Sequence, residues 1–161
     1  MRMTAIFTTL ALAIAALLTL AGASGATDYA IIPDPELTPG AVRTTDVGDI
    51  CAHGTRELRH WSRERDSRIL AEYGLPPGPH PQFKVDHLVP LCLGGADSDS
   101  NLWPEPRRAL EPEWNAERKD DLEARLCQMV CAGALDVREA QKEISQDWTE
   151  AYRRRFPCMA R

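Results

Sequence analysis

Residues 84–104 bring together the side chains of this chain whose types and spacing suit chemistry. Asp86 and His87 stand side by side inside an apolar, strand-like run. A double glycine and an acidic, serine-rich loop follow, and Asn101 then opens a second apolar patch. A hard oxygen ligand beside a general base is the pairing that a metal-assisted hydrolase needs. The sequence therefore indicates a candidate catalytic site in this segment.

Each of these three side chains also has a purely structural interpretation. Asp86 can simply end a strand, and a buried His87 can bond a backbone carbonyl. Because adjacent strand residues point to opposite faces, a bulge or bend is needed before Asp86 and His87 can address one site. The side chain of Asn101 can bond loop backbone and hold the histidine segment, which is nearly the role of an ordinary Asx-turn residue.

Two further candidates lie at the start of a helical pattern. Asn115 offers an amide oxygen that can complete a metal site, or it can act as the N-cap of the helix. Lys119 is four residues further on and shares its helix face. Its ammonium can meet a phosphate or pair with Glu123. The sequence leaves both alternatives open for each residue.

Helices are predicted on both sides of the candidate site. Apolar spacing predicts one over 56–73, with Gly74 as its stop, and another over 114–131. A third is predicted from 137 to 148 or beyond, capped by Asp136. The first helix carries an arginine-rich face, interpreted as a solvated surface paired with acids of the same segment, with phosphate binding as the alternative.

The remaining segments predict strands, turns and an arm. Residues 83–93 predict a strand with a break at Pro90, followed by a second strand or a strand end. Prolines at 104, 106 and 112 predict an irregular segment where the apolar run returns to the core. Residues 31–45, which contain three prolines, predict an extended surface arm, and 46–51 predict a short turn into the domain.

The first 26 residues predict a secretory signal peptide. Arg2 is the only charge there, an apolar run covers 5–20, and small residues follow it. The alternative is an uncleaved membrane anchor, although the run is short against the roughly 20 apolar residues of a full span. We therefore expect a secreted or periplasmic protein without stable membrane association, with a Pro-rich arm at 27–50 and one domain at 51–161.

Composition limits the partners and the redox state. The formal net charge is -5, and loss of Arg2 with the signal peptide makes it one unit more negative. This argues against a broad basic surface but leaves room for a local basic patch.

Five cysteines follow the signal peptide, and in an exported protein they predict disulfides. We expect Cys51–Cys131 and Cys127–Cys158, with Cys92 left over, although sequence alone cannot fix connectivity. Zinc is the rival, but the sequence contains no Cys-x-x-Cys and no His-x-x-x-His spacing to support it.

Four ordered motifs resemble those of small exported bacterial HNH endonuclease-like proteins, within the ββα-metal nuclease superfamily. They are Asp-His-x-x-Pro-Leu-x-Leu-Gly-Gly at 86–95, Asn-Leu-Trp-Pro at 101–104, Trp-Asn-x-x-x-Lys-Asp at 114–120 and Val-Cys-x-Gly at 130–133. The resemblance also touches 37–40 and Cys51, so it covers most of the chain after the signal peptide.

The resemblance implies an α+β fold with a small ββα-metal core, flanking helices and disulfide staples. His87 would be the general base, Asp86 and Asn115 would bind one divalent ion, and Asn101 would order the histidine loop. From its position on the helix face of Asn115, Lys119 is also predicted as a catalytic residue that meets the phosphate. Hard oxygen ligands favour Mg²⁺ or Mn²⁺.

The implied activity is endonucleolytic cleavage, with DNA favoured over RNA as the nucleic acid substrate. Arg107 and Arg108 are the predicted phosphate contacts, and a toxin role would require an inhibitor or immunity protein. The alternative is a catalytically inactive module of the cell envelope. The sequence departs from the family pattern at Asn115, which replaces a third histidine, and at Cys92, for which there is no physical account. Zinc-binding cysteine pairs are also missing.

Overall fold

The computed structural model describes residues 29–52 and 54–158, so the predicted signal peptide at 1–26 lies outside the described residues. Over those residues the chain is α+β, with one antiparallel strand pair, four α-helices and two disulfides. Within the same ranges, none of the helices combines the length and the apolar character needed to cross a bilayer.

The two strands flank the loop that carries the acidic residues. β1 (Phe83–His87) pairs antiparallel with β2 (Leu102–Pro106). The prolines at 104 and 106 led to a prediction of irregular structure there, and that prediction is wrong because both residues lie in β2. Each strand of a two-stranded sheet has an outer edge whose positions need no backbone N–H donor, so prolines are tolerated. The second strand or strand end predicted after Pro90 is also wrong, since Leu91–Leu93 form a 3₁₀ turn.

The helices are α1 (Val47–Ala52), α2 (Arg63–Glu72), α3 (Ala116–Cys131) and α4 (Val137–Arg155). The helices predicted over 114–131 and from 137 are confirmed, and Asp136 accepts hydrogen bonds from two backbone N–H groups at the start of α4. α1 replaces the predicted turn. α2 begins seven residues later than predicted, because Ser62 caps it through the Arg65 N–H.

The core lies where α3 and α4 pack against each other and against the turn after β1. It consists of Leu122, Leu126, Val130, Ala140, Ile144 and Trp148, together with residues such as Ile50, Val89 and Leu93. The N-terminal arm joins this core, since the Trp148 indole donates to the Ile31 carbonyl at 2.8 Å. Buried Thr38 donates to the Leu102 carbonyl, so the arm is more than a surface segment.

Two disulfides connect α3 to other parts of the chain, one to α1 and one to the 3₁₀ turn after β1. Cys51–Cys131 joins α1 to the end of α3, with 5.7 Å between the Cα atoms, which confirms the predicted pair. The predicted Cys127–Cys158 pair is wrong, because Cys127 faces the 3₁₀ turn and bonds Cys92 there. Cys158 is exposed and unpaired among the five cysteines, all of which the structure describes.

Candidate functional site

The two faces of β1 carry different parts of the candidate site. Alternation along the strand turns Lys84 and Asp86 to one face and Val85 and His87 to the other. On the first face, Lys84 reaches Asp120 of α3 at 2.7 Å. The paired register contains no bulge between Phe83 and His87. Even so, the Asp86 Oδ1 lies 3.5 Å from the His87 Nδ1, so the two side chains meet at the strand end.

The His87 imidazole is buried and held from one side. Its Nε2 lies 2.9 Å from the Asp97 Oδ1. Burial acts to raise the pKa of Asp97, but hydrogen bonds from the His60 backbone, His87 and Arg65 hold that pKa well below its ordinary value. An ionised carboxylate only accepts hydrogen bonds, so Nε2 carries the proton of this pair. Nδ1 has no hydrogen-bond partner in the described part of the chain.

Asp86 is a buried carboxylate among cations. Its Oδ1 accepts from the Arg59 guanidinium at 3.0 Å, and its Oδ2 lies 2.6 Å from the Lys84 ammonium. Burial acts to raise the pKa of Asp86, but the nearby ammoniums of Lys119 and Lys84 hold it far below the ordinary value. Asp86 is therefore ionised at any physiological pH, and its carboxylate can serve as a charged oxygen ligand.

Asn101 closes the loop between His87 and Asp97. Its Oδ1 accepts from the Val89 N–H at 2.9 Å, and its Nδ2 donates to the carbonyls of Val89 and Ala96. The residue is fully buried, so these bonds face no competition from water. Asn101 thus fixes the loop that brings the Asp97 carboxylate to the imidazole.

The double glycine allows the same loop to fold tightly. A Cβ at Gly95 would overlap the Val89 carbonyl, and one at Gly94 would overlap the Thr44 carbonyl. Gly94 also has a φ of 78°, in the left-handed region that side chains disfavour. Neither position can carry a side chain without moving backbone, and for Gly95 that backbone lies at Val89, two residues after His87.

Lys119 does not reach the surface. It is 0% exposed, and its ammonium donates to the His87 carbonyl at 2.7 Å and contacts Glu123. Burial acts to lower its pKa, but the carboxylates of Glu105 and Glu123 outweigh that effect and raise it. The predicted phosphate contact is wrong, because a phosphate cannot reach this ammonium. The alternative pairing with Glu123 is the one found.

Asn115 is committed to the entry of α3. Its Oδ1 accepts from the Arg118 N–H at 3.1 Å, and its Nδ2 donates to the carbonyls of Glu111 and Pro112. These contacts are those of an N-cap, which is the structural alternative that the sequence left open. They give no support to Asn115 as a metal ligand.

A different set of oxygens converges on Asp86. Asp86, Asp120 and Glu123 each offer one carboxylate oxygen, and these atoms all lie within 4.8 Å of one another. Such hard donors fit Mg²⁺ or Mn²⁺ in chemistry. The Lys84 ammonium bridges Asp86 and Asp120, however, at 2.6 and 2.7 Å. A divalent ion would have to displace that ammonium.

Glu105 is a buried residue of β2 that lies opposite Lys84, and the sequence did not predict it as part of the site. Its carboxyl lies 3.4 Å from the Lys119 ammonium, and neither oxygen accepts a hydrogen bond from any residue that the structure describes. Burial raises the pKa of Glu105 to about 8.

The arginines before and within α2 bond the acidic loop. Arg59 reaches Asp86, Arg65 reaches Asp97 and Asp99 at 2.9 and 2.7 Å, and Arg68 reaches Asp99. The predicted pairing with acids of their own segment is therefore wrong for these arginines. The missed signal was the charge complementarity between an arginine-rich segment and the acidic loop 97–99.

Arg107 and Arg108 are exposed but lie away from His87. The register places His87 opposite Leu102, whereas Arg107 follows the other end of β2. The separation along the strands is about 15 Å. Arg107 lies 3.8 Å from Glu117, so the structure does not bring these two arginines to the candidate site.

Comparison with protein-family models, curated proteins and solved structures found no match to this chain.

Proposed function

We propose that this protein is an exported, metal-dependent phosphodiesterase of the HNH type that cleaves DNA with His87 as its general base. The observation that carries the proposal is the setting of that imidazole. Nε2 is bound by the Asp97 carboxylate, while Nδ1, which has no hydrogen-bond partner among the described residues, lies 3.5 Å from the Asp86 carboxylate. The chain order of two strands followed by α3, which contacts the Asp86 face of β1, is consistent with a ββα core.

The proposed role of His87 follows from which nitrogen is free. Neutral imidazole takes a proton from water through Nδ1, while Nε2–H remains bonded to Asp97. The Asp97 carboxylate fixes the tautomer and stabilises the positive charge that develops on the ring. Asn101 acts one step further away by holding the loop on which Asp97 stands.

Asp86, Asp120 and Glu123 are the residues that would hold the divalent ion. When bound, Mg²⁺ or Mn²⁺ supplies charge stabilisation for the scissile phosphate and the leaving oxygen. Asp86 links the two parts of the site, because one of its oxygens faces His87 and the other faces Lys84 beside Asp120.

Arg59 is the proposed phosphate contact at the entrance. Its side chain is 48% exposed and bonds Asp86, and it lies beside His87, which is only 3% exposed. A guanidinium pairs well with phosphate oxygens. The substrate would therefore reach His87 when Arg59 exchanges the carboxylate for the phosphate.

A catalytically inactive module is the second candidate, and one observation favours it. The ammonium groups of Lys84 and Lys119 already balance the carboxylates that would bind the ion. A protein that had lost its metal could keep such a charge-balanced interior for stability alone.

Plasmid nicking separates the two candidates. The oxidised protein is incubated with plasmid DNA in Mg²⁺, Mn²⁺ or EDTA, alongside His87→Ala and the control variant Lys142→Ala. Lys142 is an exposed residue of α4 and lines neither the cavity at His87 nor the cleft beside α2. We expect metal-dependent nicking that is lost in His87→Ala and retained in Lys142→Ala.

Two results would contradict the proposal. Absence of cleavage with either metal, while calorimetry shows that the ion binds, would support the inactive module. Cleavage by His87→Ala at the wild-type rate would mean that another group is the base.

A further inference from the structure

Trp61 is an exposed indole in a fixed orientation. The structure describes all four tryptophans, and Trp61 is 68% exposed, whereas the other three are at most 9% exposed. Its Nε1 donates to the Asp66 Oδ2 at 2.8 Å across the first turn of α2. The hydrogen bond restricts the ring while most of its surface stays open to solvent.

This indole stands beside the candidate site. Trp61 lines the same small cavity as Arg59, His87 and Asp97. Its partner Asp66 lines both that cavity and a neighbouring open cleft.

The neighbouring cleft leads away from His87 along α2. It has a volume of about 700 Å³ and runs between α2 and the proline-rich loop before β1. Val85 lies on both the cleft and the cavity, and Phe83 and Leu70 give the cleft apolar walls. Arg63 contributes a positive charge to its lining. The cleft therefore offers apolar contacts and the positive charge of Arg63 next to His87, the proposed general base.

We propose that Trp61 stacks against a nucleobase of single-stranded DNA, whose backbone passes Arg59 and whose neighbouring base enters the cleft. This inference rests on the proposed function. Aromatic side chains bind single strands by stacking, because an unpaired base has a free face. Bases of an intact duplex are stacked inside the helix, so they cannot use Trp61 without being extruded. The protein would therefore prefer single-stranded or locally unpaired substrate.

The test uses tryptophan fluorescence, because Trp61 is the solvent-exposed emitter. The full oxidised chain carrying His87→Ala is titrated in EDTA with a short oligodeoxythymidylate or a blunt duplex of two annealed strands, so that binding is read without cleavage. We expect quenching by the single strand and little response to the duplex. In the same background, binding of a dye-labelled strand should weaken roughly 5- to 150-fold in Trp61→Ala and much less in Trp61→Phe.

Val47→Ala is the matched control, because Val47 is an exposed apolar residue, 40% accessible, on the separate helix α1. Circular dichroism confirms that each variant is folded. Equal affinity of Trp61→Ala and its parent would overturn the inference, and so would equal quenching by the duplex. Either result could occur while the wild-type protein still nicks plasmid, so the nuclease proposal would stand. A wild-type protein that neither binds nor cleaves DNA would overturn both.

Discussion

The contact between Asp97 and His87 determines which imidazole nitrogen is free. Asp97→Asn replaces a group that only accepts with an amide that can turn its NH₂ toward Nε2. The tautomer with a free Nδ1 then loses its support. We expect a fall in kcat of about 10²- to 10⁴-fold, with little change in KM, measured as plasmid nicking over a pH series.

Asp99→Asn is the control for this positioning role. Asp99 lies on the same loop and bonds Arg65 and Arg68, but it makes no contact with His87 among the described hydrogen bonds. We expect nearly wild-type kcat for this variant. Equal losses in both variants would mean that the acidic loop matters only for folding.

Glu105 predicts an unusual dependence of stability on pH. Its pKa is raised to about 8 from 4.5, so the folded chain keeps a proton that the unfolded chain loses. This contribution is fully present below pH 4.5 and is lost as pH rises through about 8. The charged groups facing it are Lys84, Asp86, Lys119 and Glu123.

Glu105→Gln removes the titration and keeps the shape. Urea unfolding of both proteins at pH 5 and pH 8 provides the measurement. We expect the wild type to lose free energy of unfolding relative to Glu105→Gln as the pH rises. A constant difference between the two proteins would contradict the raised pKa.

At the scale of single residues, the sequence indicated which residue types form the site better than it indicated how deeply each side chain is buried. The adjacency of Asp86 and His87 is visible in the sequence, and so is Asn101 before its apolar patch. The contact of Asp97 was missed because it depends on how a ten-residue loop closes. The burial of Lys119 was missed because spacing gives the face of a helix but not what covers it.

At the scale of elements, β1 and α3 meet through the lysine that stands where an ion would bind. Lys84→Met removes an ammonium within 2.7 Å of both Asp86 and Asp120. An ammonium and a divalent cation about 4 Å apart repel by about 8 kcal/mol at an effective dielectric constant of 20. We expect the variant to bind Mn²⁺ at least ~10-fold more tightly, because even a sixth of that repulsion gives this factor.

Calorimetric titration with Mn²⁺ measures the effect, and Lys142→Met is the matched control. Lys142 is exposed on α4, so its loss changes the net charge equally without touching the carboxylates. Unchanged or weaker binding by Lys84→Met would show that the ion does not use Asp86 and Asp120.

Elements with a regular apolar repeat were predictable, and those set by a single contact were not. α3 and α4 carry buried residues at helical spacing, such as Leu122, Leu126 and Val130. The spacing of Leu58 and Trp61 suggested the same helix as α2. Trp61 instead lies outside it, exposed before the Ser62 cap. β2 was missed because its prolines argued against a strand.

At the scale of the whole molecule, disulfides supplement a modest core. Cys92–Cys127 closes a loop of 35 residues and ties the turn after His87 to α3. Sequence reasoning found Cys51–Cys131 but misassigned this pair, because the face of α3 that carries Cys127 could not be matched to its neighbour without the register of the strands.

The Cys92–Cys127 bridge should therefore stabilise both the fold and the candidate site. Replacing both cysteines with serine releases a loop whose closure is worth about 2–4 kcal/mol of unfolding free energy, because the unfolded chain gains freedom. The turn after His87 also loses its covalent link to α3, so nicking should fall more steeply on warming than in the wild type. Urea unfolding and nicking rates over a temperature series measure the two effects.

Cys158→Ser is the control, because Cys158 is exposed and unpaired among the described cysteines and its loss should change neither quantity. A double variant as stable as Cys158→Ser would contradict this assignment and point back to a bridge between Cys127 and Cys158.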